Sequence, residues 1–198
     1  MKTKKILETL VLAAALTASQ AGAAPISLQG STISGSYNGA SDGMLGLDHL
    51  FSAEPGSNVT GIDPSDQGGV EFLTGDYLFG IDFSTGGRVS VILNGLAPAS
   101  GEYRLVFDFG SSLAQQIGSF TLLDIDGIAG LPVLSVLDGH TIALDLSALT
   151  WNSSFAGFSA QIGAAAAVPE PGSIGLVLAG VAGLGLARRR QGAPRSSR

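Results

Sequence analysis

The chain has 198 residues, a net charge of −6 at pH 7 and no cysteine, and 45% of its residues are hydrophobic. Residues 24–167, called the body below, hold 11 Asp, 3 Glu, 2 Arg and no Lys, so their net charge is −12. Nucleic-acid binding requires cations that neutralise phosphates, so this acidic body argues against a nucleic-acid partner. Without cysteine, the fold cannot rest on disulfides, and the body is long enough to form one domain with its own core.

The first 23 residues predict a secretory signal peptide. The segment has the three parts of such a peptide in order: a basic region with Lys2, Lys4 and Lys5, an apolar run from Leu10 to Leu16, and the small cleavage-site residues Ala21, Gly22 and Ala23. We expect cleavage after Ala23. The alternative is an uncleaved N-terminal anchor, but the apolar run is too short to span a bilayer.

The body predicts an all-β domain over residues 24–167, an antiparallel β-sandwich or jelly roll. Eight segments have period-2 alternation or a short continuous apolar run, and none has a helical period. They are Val70–Leu73, Asp76–Phe83, Arg88–Leu93, Glu102–Phe109, Phe120–Ile125, Val133–Leu137, His140–Leu146 and Trp151–Ile162. Asp138-Gly139 is a strong hairpin signal between two of them. Turn residues between strands at short spacing are typical of sandwiches.

The same patterns predict which aromatic side chains are buried. Trp151, Phe155 and Phe158 are expected in the core, and the alternation places Tyr77 and Tyr103 on buried strand faces. Residues 38–69 are rich in Gly, Ser, Asp and Pro, so we expect long loops there, with a short helical turn near residues 45–51. Residues 164–167, together with Val168 and Pro169, are expected to link the domain to the C-terminal anchor.

A search for catalytic chemistry finds no motif. The chain has two histidines, His49 and His140, and it contains neither a Gly-x-Ser-x-Gly elbow nor a phosphate-binding glycine loop. Two histidines without cysteine also do not match the spacing of zinc sites. We therefore predict that the chain is not an enzyme and has no catalytic residues.

The aspartates offer one candidate metal site. Asp124 and Asp126 lie two residues apart beside Gly127, so on a strand their carboxylates point the same way, and hard oxygen ligands suit Ca²⁺. Asp63 and Asp66 form a looser pair. The alternative is that these side chains accept hydrogen bonds from their own turn backbone. Calcium is thus the one candidate cofactor, and no other cofactor is expected.

The C-terminal segment has three ordered parts. Pro169, Glu170, Pro171 and Gly172 form a rigid, non-helical peptide, because each proline fixes its own φ and restricts the residue before it. An uncharged apolar run follows from Ile174 to Ala187, which as a helix would be about 21 Å long and so only marginally able to span a bilayer. Arg188, Arg189 and Arg190 then form a basic cluster, which prefers the cytoplasmic side of a membrane.

This arrangement resembles the PEP-CTERM sorting signal of Gram-negative bacteria over residues 168–190, with residues 191–198 as a cytoplasmic tail. The resemblance implies export, a precursor anchored temporarily in the inner membrane by a short transmembrane helix, and processing by an exosortase-type membrane enzyme near the Pro-Glu-Pro peptide. It also implies a mature protein at the cell surface or outside the cell, in a system that accompanies exopolysaccharide and biofilm production. The alternative for this segment is an ordinary C-terminal anchor after a proline-rich linker.

Three functions for the body remain open. The first is a non-catalytic surface or extracellular-matrix protein associated with exopolysaccharide, and it is the one we predict. The second is a calcium-assisted carbohydrate-binding module, which needs exposed aromatic rings from a supply of one Trp and three Tyr. The third is an enzyme acting on matrix polysaccharide, which needs two carboxylates facing each other across a cleft.

Overall fold

Alternating apolar residues fold the body into short strands in the computed structural model, which describes residues 24–47, 57–62, 65 and 69–166. The strands are β1 Thr32–Tyr37, β2 Met44–Gly46, β3 Val59–Gly61, β4 Phe72–Thr74, β5 Phe79–Phe83, β6 Arg88–Leu93, β7 Arg104–Asp108, β8 Ile117–Asp124, β9 Ile128–Ala129, β10 Val133–Val136, β11 Thr141–Asp145, β12 Thr150–Trp151 and β13 Gly157–Ala164. One 3₁₀ turn, Gly110–Ser112, lies between β7 and β8.

These strands form two main antiparallel sheets and one small ribbon. One sheet has the order β10-β11-β7-β1-β3, the other has the order β2-β4-β5-β6-β13-β8, and β9 pairs with β12. The inward faces of both sheets contribute to one core. Phe72 of β4 and Phe107 of β7 join the two sheets, with ring centroids 5.2 Å apart. The prediction of an all-β antiparallel sandwich is therefore confirmed.

The predicted hairpin at Asp138-Gly139 is also confirmed. β10 and β11 pair with Val136 opposite Ile142, and the backbone N–H of Leu137 donates to the carbonyl of Thr141 at 2.9 Å. The turn is closed by the Asp138 carboxylate, which accepts from the backbone N–H of His140 at 2.7 Å. The turn residues therefore fix the register of this hairpin, as expected for Asp-Gly between two apolar runs.

The prediction of loops over residues 38–69 is wrong in part, because β2 and β3 lie there, and β1 precedes them. The expected helical turn near residues 45–51 is contradicted at Leu45, which lies in β2, and its residues 48–51 are outside the described residues. Small residues hide these strands from a hydrophobic pattern. Gly35 of β1 is buried against Met44. A Cβ at this position would lie 2.8 Å from Met44 Cγ, so a larger residue would not fit there.

The single strand predicted over Trp151–Ile162 is also wrong. It is divided into β12 and β13 by a turn in which Phe155 has a φ of +63°. The Phe155 side chain is 69% exposed, so it is not in the core, whereas Phe158 is buried as expected. The turn is closed by the N–H of Ala156, which donates to the carbonyl of Ser153 at 3.2 Å. The prediction continued one strand through this turn, and it therefore assigned Phe155 to the core incorrectly.

Tyr77 was misplaced for a similar reason, because it has a φ of +61° in the turn before β5 and is 59% exposed. Tyr103, in contrast, packs against the core and is half-buried. Tyr37 is instead buried, and its hydroxyl donates to Asp76 Oδ2 at 2.8 Å. Burial, followed by the bond and charge of Asp76, raises the pKa of Tyr37 well above its ordinary value of 10.0.

Alkaline pH should therefore destabilise the fold through Tyr37. The unfolded tyrosine loses its proton near pH 10 while the folded one keeps it, so stability is fully present below pH 10 and falls as pH rises above it. We expect the Tyr37→Phe variant to lose less stability than the wild type between pH 9 and 11, measured by urea denaturation. Tyr77→Phe, at an exposed tyrosine, is the matched control. If the free energy of unfolding falls equally steeply with pH in all three proteins, Tyr37 is not the source of the alkaline destabilisation.

Candidate functional site

Several predicted residues lie outside the described residues. They are the signal-peptide residues Ala21 and Ala23, the sorting-signal residues Pro169, Glu170, Pro171, Gly172 and Arg188–Arg190, and also His49, Asp63 and Asp66. The predicted anchor helix falls in the same category. Within the part of the chain that the structure describes, no helix is long and apolar enough to cross a membrane.

Asp124 is the last residue of β8, whereas Asp126 lies in the turn that follows, so the two do not share a strand as predicted; both are exposed. Asp124 Oδ1 accepts from the backbone N–H of Asp126 at 3.0 Å, so it stabilises its own turn. Asp124 also lines a shallow cleft of about 170 Å³ with Arg88, whose Nη2 donates to Ser159 Oγ at 3.1 Å. No group of three or more His, Cys, Asp or Glu residues able to hold a metal occurs among the described residues. Calcium at Asp124 and Asp126 stays a prediction.

His140 and two nearby aspartates belong to turns at the two ends of β11. The backbone N–H of His140 and the Thr141 hydroxyl lower the pKa of Asp138, and the Ser147 hydroxyl and backbone N–H lower that of Asp145. Both carboxylates are thus held ionised by hydrogen bonds in their own turns.

A groove of about 360 Å³ lies at one end of the described body. It lies between the loop that leads into β7 and the loop that joins β11 to β12. Its lining includes Pro98, Ser100, Tyr103, Ser147, Thr150 and Trp151. None of the described residues that line it is charged, although the body as a whole is strongly acidic. The groove is also in the size range of small-ligand pockets, about 300–1,000 Å³.

Two aromatic rings line this groove and rest on the core. Phe79 is fully buried, and its ring centroid lies 5.5 Å from that of Tyr103 and 5.5 Å from that of Trp151. Trp151 also contacts Phe158, with the centroids 6.2 Å apart. The Tyr103 hydroxyl donates to the carbonyl of Ala99 at 2.6 Å. Both rings are therefore held in place before any ligand binds.

The hydrogen bonds of the loops keep the groove in shape. The backbone N–H of Tyr103 donates to Ser147 Oγ at 2.9 Å, and the N–H of Leu146 donates to the Tyr103 carbonyl at 2.9 Å. These bonds join the two sides of the groove. The alternating pattern predicted Tyr103 and Trp151 as core residues, so it missed this site. The one available signal was position, because both aromatics stand at strand ends beside Pro, Ser and Ala residues.

A second exposed ring belongs to a different surface. Phe155 lines a small apolar depression of about 110 Å³ with Ile92, Leu73 and Val70 on the outer face of the sheet that contains β6. This surface is separate in its lining residues from the groove around Trp151. Nothing polar except Asn94 lines it, so it offers little to orient a ligand.

Comparison with known proteins identifies the C-terminal segment. A family model described as the PEP-CTERM protein-sorting motif matches residues 167–191. No curated protein and no solved structure matches the chain. The motif implies an exported protein with a membrane-anchored precursor that an exosortase-type enzyme processes. The match covers the Pro-Glu-Pro peptide, the apolar run and the arginine cluster, so the chain carries a PEP-CTERM protein-sorting motif at these residues.

Proposed function

We propose that the chain is a non-catalytic protein of the cell surface or extracellular matrix, where it associates with exopolysaccharide. The observation that carries this proposal is the PEP-CTERM motif at residues 167–191. The charge distribution supports it, because the basic residues that flank membranes lie in the two terminal segments while the body is acidic. In this proposal the body leaves the inner membrane once the C-terminal segment has been cleaved.

The groove around Tyr103 and Trp151 favours a second candidate, a carbohydrate-binding module. It supplies two half-buried aromatic rings, Tyr103 and Trp151, at a concave surface, which such a module needs and which the sequence pattern did not reveal. The two candidates are compatible, since a matrix protein can be retained by a glycan that it binds.

Substituting Glu170 tests the sorting step. The flanking prolines Pro169 and Pro171 predict an extended peptide at Glu170, so we expect that the processing enzyme recognises this residue. In the native host, the wild type is expected to lack residues 1–23 and the segment beyond Pro-Glu-Pro. Glu170→Ala is expected to keep its anchor and to remain in the inner membrane. Intact mass and cell fractionation measure both properties.

Glu102→Ala is the matched control, because Glu102 is an exposed glutamate of the body. This variant is expected to be processed and located like the wild type. If the wild type itself retains Arg188–Arg198 and stays in the inner membrane, the segment is only an anchor and the proposed surface location fails. If Glu170→Ala is processed normally, the enzyme does not read this side chain.

A further inference from the structure

We propose that the groove between residues 97–103 and 146–151 binds a neutral glycan chain. The proposal rests on the proposed association with exopolysaccharide, and it adds the binding site and the chemical class of the ligand. It is carried by three properties of the groove: its lack of charge, its fixed aromatic rings, and its free hydrogen-bonding groups.

Charge selects a neutral ligand. The body has a net charge of −12, and the groove itself has no basic side chain with which to attract an anion. An anionic polymer entering the groove would be repelled by the field of the body. The charged residues nearest in sequence are Glu102, Arg104 and Asp145, and none of them is among the residues that line the groove. Glu102 is exposed, so its charge adds to the field that repels an anion.

The rings select a ligand with both an apolar face and polar edges. A sugar ring has C–H groups on its face and hydroxyls around its rim, so it can pack on an aromatic ring while its hydroxyls bond to neighbouring groups. Tyr103 and Trp151 are half-buried with their inner sides on Phe79. They can therefore bind without loss of side-chain conformational entropy, because the core already fixes them.

Polar groups at the groove remain available to such hydroxyls. Ser100 and Thr150 are exposed. The indole N–H of Trp151 makes no hydrogen bond within the described part of the chain. Every buried side-chain donor among these residues has a hydrogen-bond partner. The indole N–H is therefore not buried and contacts solvent. Tryptophan that is half-buried with an unpaired N–H provides an apolar surface and one donor. Such a small set of convergent polar groups on an aromatic floor is typical of ligand sites.

Affinity electrophoresis of the processed protein from its native host tests the proposal. The probes are the neutral polysaccharides dextran, laminarin and galactomannan, with alginate as an anionic comparison. We expect retardation by at least one neutral probe and none by alginate. Ala148→Glu, at an exposed groove residue, should weaken that binding at least about tenfold because it fills the groove and adds a negative charge. Trp151→Phe, which keeps a ring but loses the N–H, should weaken it less.

Ala114→Glu is the matched control at an exposed alanine outside the groove, and it should bind like the wild type. Both glutamate variants should have the wild-type melting temperature, which separates loss of binding from loss of folding. The proposal is overturned if no neutral probe binds, or if Ala148→Glu binds as tightly as Ala114→Glu. Cell fractionation distinguishes the two proposals. If the wild type is located at the surface but binds no neutral probe, the proposed function is retained and the proposed glycan site in the groove is rejected.

Discussion

Replacing Phe83 with alanine will lower the free energy of unfolding by about 3–5 kcal/mol. Phe83 is 1% exposed, and its ring centroid lies 5.0 Å from that of Phe107 and 5.9 Å from that of Phe109. Phe83 is in β5 and Phe107 is in β7, so the ring fills the space between the two sheets. Its removal leaves a cavity that neighbouring strands of both sheets would have to close together. The loss is a large part of the about 5–15 kcal/mol by which domains are stable.

Urea denaturation of the body measures this loss, and Leu96→Ala is its control. Leu96 is 72% exposed, so that variant should remain within about 0.5 kcal/mol of the wild type. The backbone N–H of Phe83 donates to Glu71 Oε2 at 2.7 Å, and the alanine variant retains this donor. The difference in free energy of unfolding between the wild type and Phe83→Ala therefore measures the loss of the aromatic ring and not the loss of this hydrogen bond. A loss below about 1 kcal/mol would mean that the two sheets do not pack as described.

Gly127→Ala should destabilise the fold by about 3 kcal/mol, at the upper end of the range for overpacking. Gly127 lies in the turn between β8 and β9, and a Cβ there would overlap the backbone of Gly157 at the start of β13. Backbone atoms of a central strand cannot rotate away as a flexible side chain can. The turn also binds Asn152, whose N–H donates to the Gly127 carbonyl at 3.1 Å, so a shift would propagate toward β12.

Gly86→Ala is the matched substitution in an open turn. A Cβ at Gly86 would have its nearest neighbour, Ser84 Oγ, at 3.8 Å, and no positive φ opposes the change. This variant should be neutral or stabilising by up to about 1 kcal/mol, because alanine restricts the unfolded chain more than glycine does. Thermal unfolding of both variants tests the pair. Equal melting temperatures would show that β8, β9 and β13 do not meet at Gly127.

The strands predicted from sequence are those with large side chains on one face. Arg88–Leu93 is found with the bounds that alternation predicted, because Val89, Val91 and Leu93 are buried in turn. β1 was not predicted because one of its inward positions is Gly35, which breaks the alternation of apolar side chains. Gly35 is buried because Met44 packs against it, not because glycine is hydrophobic. Residues at positive φ caused the remaining errors. Tyr77 and Phe155 have a positive φ, so the alternation of inward and outward side chains is interrupted at each of them. Aromatic residues rarely adopt a positive φ, so their identity does not predict this conformation.

The sorting signal and the groove differ in how sequence encodes them. The signal could be predicted as a segment because its parts are contiguous and ordered along the chain, and the family model matches residues 167–191. The groove joins residues from two loops about 45 positions apart, which the pairing of β7 with β11 brings together. Its two rings look like core residues in a pattern, since each packs one side on Phe79. A half-buried ring at a strand end cannot be told from a buried one by periodicity.

The placement of the two arginines of the body affects its resistance to proteolysis. Trypsin-like enzymes cleave after Arg or Lys, and the body offers them only the bonds after Arg88 and Arg104. Arg88 begins β6, which pairs with β5 and β13, and Arg104 begins β7, which pairs with β1 and β11. Each strand is hydrogen-bonded on both sides, so cleavage must wait for the sheet to open. An exported body built this way resists that class of enzyme for as long as it stays folded.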